Sequence, residues 1–97
     1  MNLNIALKVN DRDNVATIFA EVKAGTKVEV RDKKGNSETI TVAGDIPYGN
    51  KIALFNIHIG KQIYKYGEEI GVATQEIKKG DYVHVHNLDS IRGRGDL

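Results

Sequence analysis

Cysteine is absent from the 97 residues. Its absence excludes disulfides, thiolate zinc sites and a cysteine nucleophile, and it leaves histidine and carboxylate as the available metal ligands. No apolar run approaches the roughly 18 residues of a membrane span, and the opening MNLNIALKVNDRD has neither the basic n-region nor the apolar h-region of a secretory signal. A cytoplasmic location without a membrane partner is therefore expected. Nor is there an excess of one charge: 14 basic residues face 13 acidic ones. No large single-sign field exists to attract nucleic acid, and no nucleic-acid partner is expected. A GxSxG elbow, a P-loop and a dinucleotide-type GxGxxG are all missing, so the chain carries no recognisable self-contained catalytic centre. A chain of this length makes one domain with a modest core, and a site of useful size needs another chain to complete it.

What is present is a repeated device. EVKAGTKVEV, DIPYGNKIAL, NIHIGKQIYK and EIKKGDYVHV each place an apolar residue, two spacers, a glycine, two spacers and then an alternating strand. The apolar residues Val22, Ile46, Ile57 and Ile77 can anchor the chain to a core while Gly25, Gly49, Gly60 and Gly80 turn it at positive φ. Alternation of period two then directs Val28 with Val30, Ile52 with Leu54, Ile63 with Lys65, and Val83 with Val85 to one face. RDKKGNSETITV reads as a hairpin with Lys34, Gly35 and Asn36 at its tip and Ile40 and Val42 on the inner face. Short strands divided by glycine turns predict an all-β, barrel-like or clip-like domain.

Two segments have some helical character. Asp13 or Asn14 can cap a short turn through VATIFAEV, and one turn fits Thr74 to Ile77, although Gly67 and Gly71 point to an irregular crossing with close backbone approach. The domain is expected over residues 1–89, with residues 90–97 as a tail or linker. The tail contains Arg94-Gly95-Asp96, whose adhesion reading is discarded because no secretion signal is present. With Arg92 it reads better as a flexible basic segment that can close over an acidic ligand or dock on a partner.

The candidate chemistry lies in DYVHVHN. As a strand it sets His84 and His86 on one face, opposite Val83 and Val85 and about 7 Å apart at a rise of about 3.3 Å per residue. Two imidazoles at that spacing suit one divalent metal or one anionic substrate, and histidine is the usual general acid or base near neutral pH. A pair of half-exposed strand histidines without a ligand fits the same spacing. Asn87 can orient a histidine or a substrate hydroxyl, or serve only as a turn residue. Lys51, Lys65 and Tyr66 can offer cationic and phenolic contacts to a carboxylate. His58 is assigned no role.

The succession DIPYGNKIAL, then KYGEEIGVATQEIKKGDYVHVHN, resembles the N-terminal domain of altronate and galactarate dehydratases, a branch of the SAF domains. The likeness runs from Asp13 to Asp96, and its most specific parts are Lys65-Tyr66-Gly67 with Ile70-Gly71, and Gly80 with His84-Val85-His86-Asn87. It implies an all-β SAF-type β-clip with one or two short helical turns. It also implies the small subunit of a metal-dependent hydro-lyase that removes water from an aldonate or aldarate to give a 2-keto-3-deoxy acid. Most catalytic residues would lie on a separate large subunit, and a divalent metal, iron or manganese, would be shared with it. Carried onto this chain, the family pattern places His84 and His86 at the metal or substrate site with Asn87 beside them. Lys51, Lys65 and Arg92 would then contact the substrate. One departure is Asn50, where the family often has histidine. The small subunit of (2R)-sulfolactate sulfo-lyase resembles the chain in the same way. A non-catalytic SAF module that binds a ligand or an assembly partner is the alternative of a different class, and self-association is left open.

Overall fold

The computed structural model describes residues 4–90, so Arg92 and the Arg94-Gly95-Asp96 segment lie outside the described residues. These residues form nine strands: β1 (Ile5–Lys8), β2 (Val15–Ile18), β3 (Lys27–Asp32), β4 (Ser37–Thr41), β5 (Lys51–Ala53), β6 (Gln62–Lys65), β7 (Glu68–Ala73), β8 (Tyr82–Val83) and β9 (Leu88–Ser90). One sheet runs β4-β3-β1-β2-β5-β8 and the other β6-β7-β9. Every strand pairing is antiparallel except β1 with β3.

The four glycine turns behave alike, and they interlock in pairs. In each, a backbone N–H reaches back three residues, from Thr26 to Lys23, Asn50 to Pro47, Lys61 to His58 and Asp81 to Lys78, at 2.9–3.3 Å. The glycine at the third position has a φ between 81° and 94° in all four, the conformation of a type II turn, which side-chain-bearing residues resist. The glycine N–H then donates outside its own turn. Gly25 reaches the Val42 carbonyl and Gly49 the Ile18 carbonyl, while Gly60 reaches Ala73 and Gly80 reaches Ala53, all at 2.8–2.9 Å. The acceptor residues return the bond, since the amides of Val42, Ile18, Ala73 and Ala53 donate to Thr26, Asn50, Lys61 and Asp81 at 2.9 Å. Each acceptor lies four residues before its own unit's anchor, and the anchors pair as antiparallel bridges, Val22 with Ile46 and Ile57 with Ile77. The anchors are all buried, as the spacing predicts.

A polar residue directly before the anchor finishes the latch. Asp45 accepts from the Ala24 amide at 2.9 Å, Asn56 from Lys79 at 2.9 Å and Glu76 from Ile59 at 3.1 Å. The accompanying Lys23–Asp45 ion pair is 3.7 Å long and well exposed. Such pairs contribute about 0–1 kcal/mol, so the carboxylate's bond to the partner turn's backbone matters more.

Strand alternation divides the apolar residues between two cores. Ala16, Ile18 and Ile52 join Val28, Val30 and Ile40 in the first, while Val15 and Ala53, on the opposite faces of the same strands, join Ile63, Ile77 and Val83 in the second. The inner-face assignments for Val28, Val30, Ile40, Val42, Ile52, Leu54, Ile63 and Val83 hold, and the hairpin tip falls between β3 and β4 as expected.

The two helical expectations do not hold, and no helix is present among the described residues. VATI is strand β2, buried along its whole length. Its β-branched Val15, Thr17 and Ile18 suit a strand packed on both sides. Asp13 and Asn14 cap something else. The buried Asp13 carboxylate accepts the amides of Val9 at 3.2 Å, Asn10 at 3.1 Å and, across the fold, Gly67 at 2.8 Å. Asn14 accepts from the Tyr64 amide at 2.8 Å and donates to the Gln62 carbonyl at 3.0 Å. Together they tie the β6–β7 hairpin to β2. Its two-residue loop, Tyr66-Gly67, has φ of 57° and 79°, the type I′ pattern that matches strand twist. The turn expected near Thr74 is not helical either: residues 74–75 bend after β7, and Ile77 is held by its bridge to Ile57. The close approach expected at Gly71 is found: a Cβ there would collide with the Asp89 carbonyl.

Two stability outcomes follow from these contacts. Gly49→Ala, which meets no atom within 4 Å, is expected to cost about 1–2 kcal/mol through φ alone, whereas Gly44→Ala, also in open space but not at positive φ, stays near neutral. Asp13→Ala, which orphans amides at both ends of its bridge, is expected to cost about 3 kcal/mol. Urea denaturation of the three variants checks both expectations.

Candidate functional site

The HVHN segment is not the strand that its alternation predicts. Strand β8 ends at Val83, and residues 84–87 curl into a turn that leads directly into β9. The cause is Asn87. Its Oδ1 accepts the His84 amide at 3.0 Å and its Nδ2 donates to the Tyr82 carbonyl at 2.9 Å, while the Asn87 and Leu88 amides both donate to the His84 carbonyl at 3.0 and 2.9 Å. A short amide side chain that satisfies its own local backbone offers the chain an alternative to the ladder. Val85 consequently points outward with 76% of its surface exposed, where alternation places it in the core. Asn87 is buried, with its side-chain oxygen and nitrogen both engaged in the turn.

The turn sets His84 at the wall of an open cleft of about 310 Å³, lined also by Lys51, Lys65, Ile70, Val85, Leu88 and Ser90. Three of the residues singled out from the sequence therefore meet here. Lys51 comes from β5 in the large sheet, Lys65 from the end of β6 in the small one, and His84 from the turn after β8. Among the described residues the lining has two ammonium groups and an imidazole and no carboxylate. Burial, and after it the Lys65 charge, hold the Lys51 ammonium below its ordinary pKa. A cationic cleft whose own charges repel is one that an anion would relieve. Lys65 Nζ also sits 4.8 Å above the Tyr66 ring.

His86 goes elsewhere. It lines a neighbouring cleft of about 290 Å³ with Glu76, Asp81, Gln75 and Asn87, and its carbonyl accepts from Gln75 Nε2 at 2.9 Å. Between the two imidazoles stands Tyr82, stacked on His84 at 5.6 Å and 12°, and tilted against His86 at 5.3 Å and 57°. The Tyr82 hydroxyl donates to Asn50 Oδ1 at 3.3 Å. Among the described residues no group of three or more His, Asp or Glu side chains is placed to hold a metal. With its imidazoles in separate clefts, this part of the chain does not form a divalent-metal centre by itself.

Comparison with known proteins gives the family. The family profile for the altronate/galactarate dehydratase SAF domain matches residues 4–91. The chain belongs to that family. This SAF domain is 38% identical over 98 residues to altronate dehydratase of Escherichia coli, a match covering 94% of the chain and 19% of that protein. It is 35% identical over 79 residues to galactarate dehydratase (L-threo-forming) of the same organism, covering 79% of the chain and 14% of that protein. It is 32% identical over 94 residues to the (2R)-sulfolactate sulfo-lyase subunit alpha of Chromohalobacter salexigens, covering 93% of the chain and 99% of that subunit. The SAF domain thus spans less than a fifth of the dehydratases and nearly all of the sulfo-lyase subunit. The all-strand architecture fits the β-clip that the resemblance implies. No helix among the described residues is long and apolar enough to cross a membrane.

Two residues escaped sequence reasoning. Tyr82 shares the parity of His84 and His86, a signal visible in YVHVH. His58, assigned no role, pairs with Glu76 at 3.1 Å, and the preference for a polar residue before each anchor was the available clue.

The Lys51 shift has a definite sign. Its folded pKa lies below the ordinary 10.5, so the charged form is penalised by folding. That penalty is fully present at neutral pH and is relieved as pH rises through the lowered value toward 10.5. Lys51→Met is therefore expected to be modestly more stable than the parent at pH 7, the effect being limited because Lys51 is only half-buried. The advantage should shrink as the pH approaches 10.5. Paired denaturation curves across that range check it.

Proposed function

We propose that this SAF domain is the small, substrate-contacting part of a sugar-acid dehydratase of the altronate and galactarate type, acting with a much larger catalytic polypeptide. The observation that carries the reading is the Lys51, Lys65 and His84 cleft, a small anion site built on a chain of this family. In this reading the two ammonium groups hold the substrate carboxylate. A base on the large polypeptide removes the proton from the adjacent carbon, the electron pair forms the carbon–carbon double bond, and the β-hydroxyl leaves as water after taking up a proton. The enol then tautomerises to the 2-keto-3-deoxy acid. Charge that develops on the carboxylate during proton removal is stabilised by Lys51 and Lys65, cations in place before the reaction starts. His84 is the group of this chain positioned to exchange a proton with a substrate hydroxyl. Any divalent ion, iron or manganese by the resemblance, belongs to the large polypeptide's donor set, and no step above runs through it. His86 and Asn87 support the wall: Asn87 fixes the turn, and Tyr82 fills the space between the imidazoles. Arg92 and a cytoplasmic location remain part of the reading on the sequence alone.

A second reading is favoured by one observation. The sulfo-lyase subunit alpha is matched over 99% of its length, so a small subunit of this size exists in an enzyme named for releasing sulfite from sulfolactate. The same cleft would serve an α-proton abstraction there, with sulfite leaving in place of water.

Co-expression with a large dehydratase polypeptide of the source organism, followed by assay on altronate, galactarate and sulfolactate, separates the readings. Water loss from a sugar acid is the expected result, sulfite release selects the second reading, and no turnover of any of the three removes both. In the active assembly Lys65→Ala is expected to raise KM more than tenfold. His84→Gln is expected to lower kcat by about 10²–10⁴, with His86→Gln having the smaller effect.

A further inference from the structure

The large sheet is covered unevenly on the face that the second core uses. Cross-strand register sets the layout: Leu7 lies opposite Thr17, and Thr17 opposite Lys51. Residues alternating with these share their face, so Ile5, Leu7 and Phe19 lie on the same side as Val15, Thr17 and Lys51. The bond from the Phe19 amide to the Ile5 carbonyl, 3.0 Å long, continues that pairing beyond β2. The small sheet packs on Val15 and Ala53, and its coverage stops at β2, whose residues are all buried. Beyond it Leu7 is 41% and Phe19 47% exposed, and Ile5 is partly so. The opposite face of β1 and β2 is fully packed, with Ala6 and Ile18 at 0%. Half of one sheet face is therefore core, and the other half is an apolar surface that continues from it.

We infer that the Ile5, Leu7 and Phe19 surface is the seat of the large catalytic polypeptide, and that docking there brings the polypeptide up to the Lys51 and Lys65 cleft. This rests on the proposed function. Two features point to this occupant over another. The matched dehydratases devote more than four-fifths of their length to sequence outside the SAF region, so a domain of this type has a large neighbour in the same protein. On one cross-strand row only Thr17, buried with its hydroxyl 3.5 Å from that of the exposed Tyr66, separates Leu7 from Lys51, so a partner seated on the strip meets Tyr66 and then the cationic cleft on the same side of the sheet. The Glu29–Arg31 ion pair borders the strip: Arg31 lies opposite Leu7 and the pair closes at 2.6 Å, a polar rim beside an apolar centre.

The test is binding of the full chain to the immobilised large polypeptide by surface plasmon resonance, comparing Leu7→Glu, Phe19→Glu and the control Ile59→Ser. Ile59 is 61% exposed at a turn tip. The inference expects Leu7→Glu and Phe19→Glu each to weaken binding by about tenfold or more and Ile59→Ser to change it less than twofold. Unchanged thermal melts of the isolated variants would show that folding is intact, and Leu7→Ser with Phe19→Ser replaces the charged pair should either melt shift. If the parent chain binds and the Leu7 and Phe19 variants bind equally well, the surface assignment falls and the proposed function stands. If the parent chain does not bind the large polypeptide, both fall. Self-association of the isolated chain in sedimentation, abolished by Leu7→Glu, would assign the face to a second copy and overturn the inference.

Discussion

The fold depends on one reciprocal latch, made twice. A glycine amide in one turn donates to the strand entering its partner turn, and the partner's glycine returns the bond, so neither turn is complete alone. The requirement is exacting. The glycine must hold a φ near +85° so that its amide points away from its own turn, and the anchors must be buried so that the strands meet at the right height. Buried backbone donors and acceptors must be paired. The latch pairs the backbone of the buried Ile18, Val42, Ala53 and Ala73 with backbone alone, and both cores are assembled around it.

From the latch the position of the site follows. The first pair of turns delivers β5 and with it Lys51; the second pair delivers β6 with Lys65 and β8 with the His84 turn. The cleft lies where the products of the two pairs come together, so its charges originate in both sheets. Their mutual repulsion is a cost that a well-packed core tolerates, and the asparagine-driven turn at residue 87 brings the imidazole to the same place.

Much of this could be read in the chain. The anchor–glycine–strand device, the hairpin tip and the inward positions of Val28, Ile40, Ile52 and Ile63 were all legible because they are local, depending on spacing and on the φ that glycine allows. Three things were hidden for a common reason. The pairing of turns, the role of Asp13 and the fate of HVHN each depend on which distant or competing backbone group a polar side chain finds. Asp13 looks like a helix cap because a carboxylate before an apolar run usually is one. Here a hairpin 54 residues away supplies its donor. VHVHN alternates like a strand through His86, and only the Asn87 amide, bonding back to Tyr82 and His84, shows that the ladder has ended. The parity that set His84 and His86 on one face does not survive the turn.

Because the latch is made by backbone atoms and by the polar residues before the anchors, the second position of each turn lends it at most a backbone amide, and no latch bond runs through that position's side chain. Ala24, Tyr48, Ile59 and Lys79 occupy these four tips, a methyl, a phenol, a branched alkyl and an amine on one repeated scaffold. Such tips are addressable: the scaffold can present new chemistry at four defined points while its hydrogen-bond plan remains unedited. A domain built in this way can diversify the company it keeps without renegotiating how it folds.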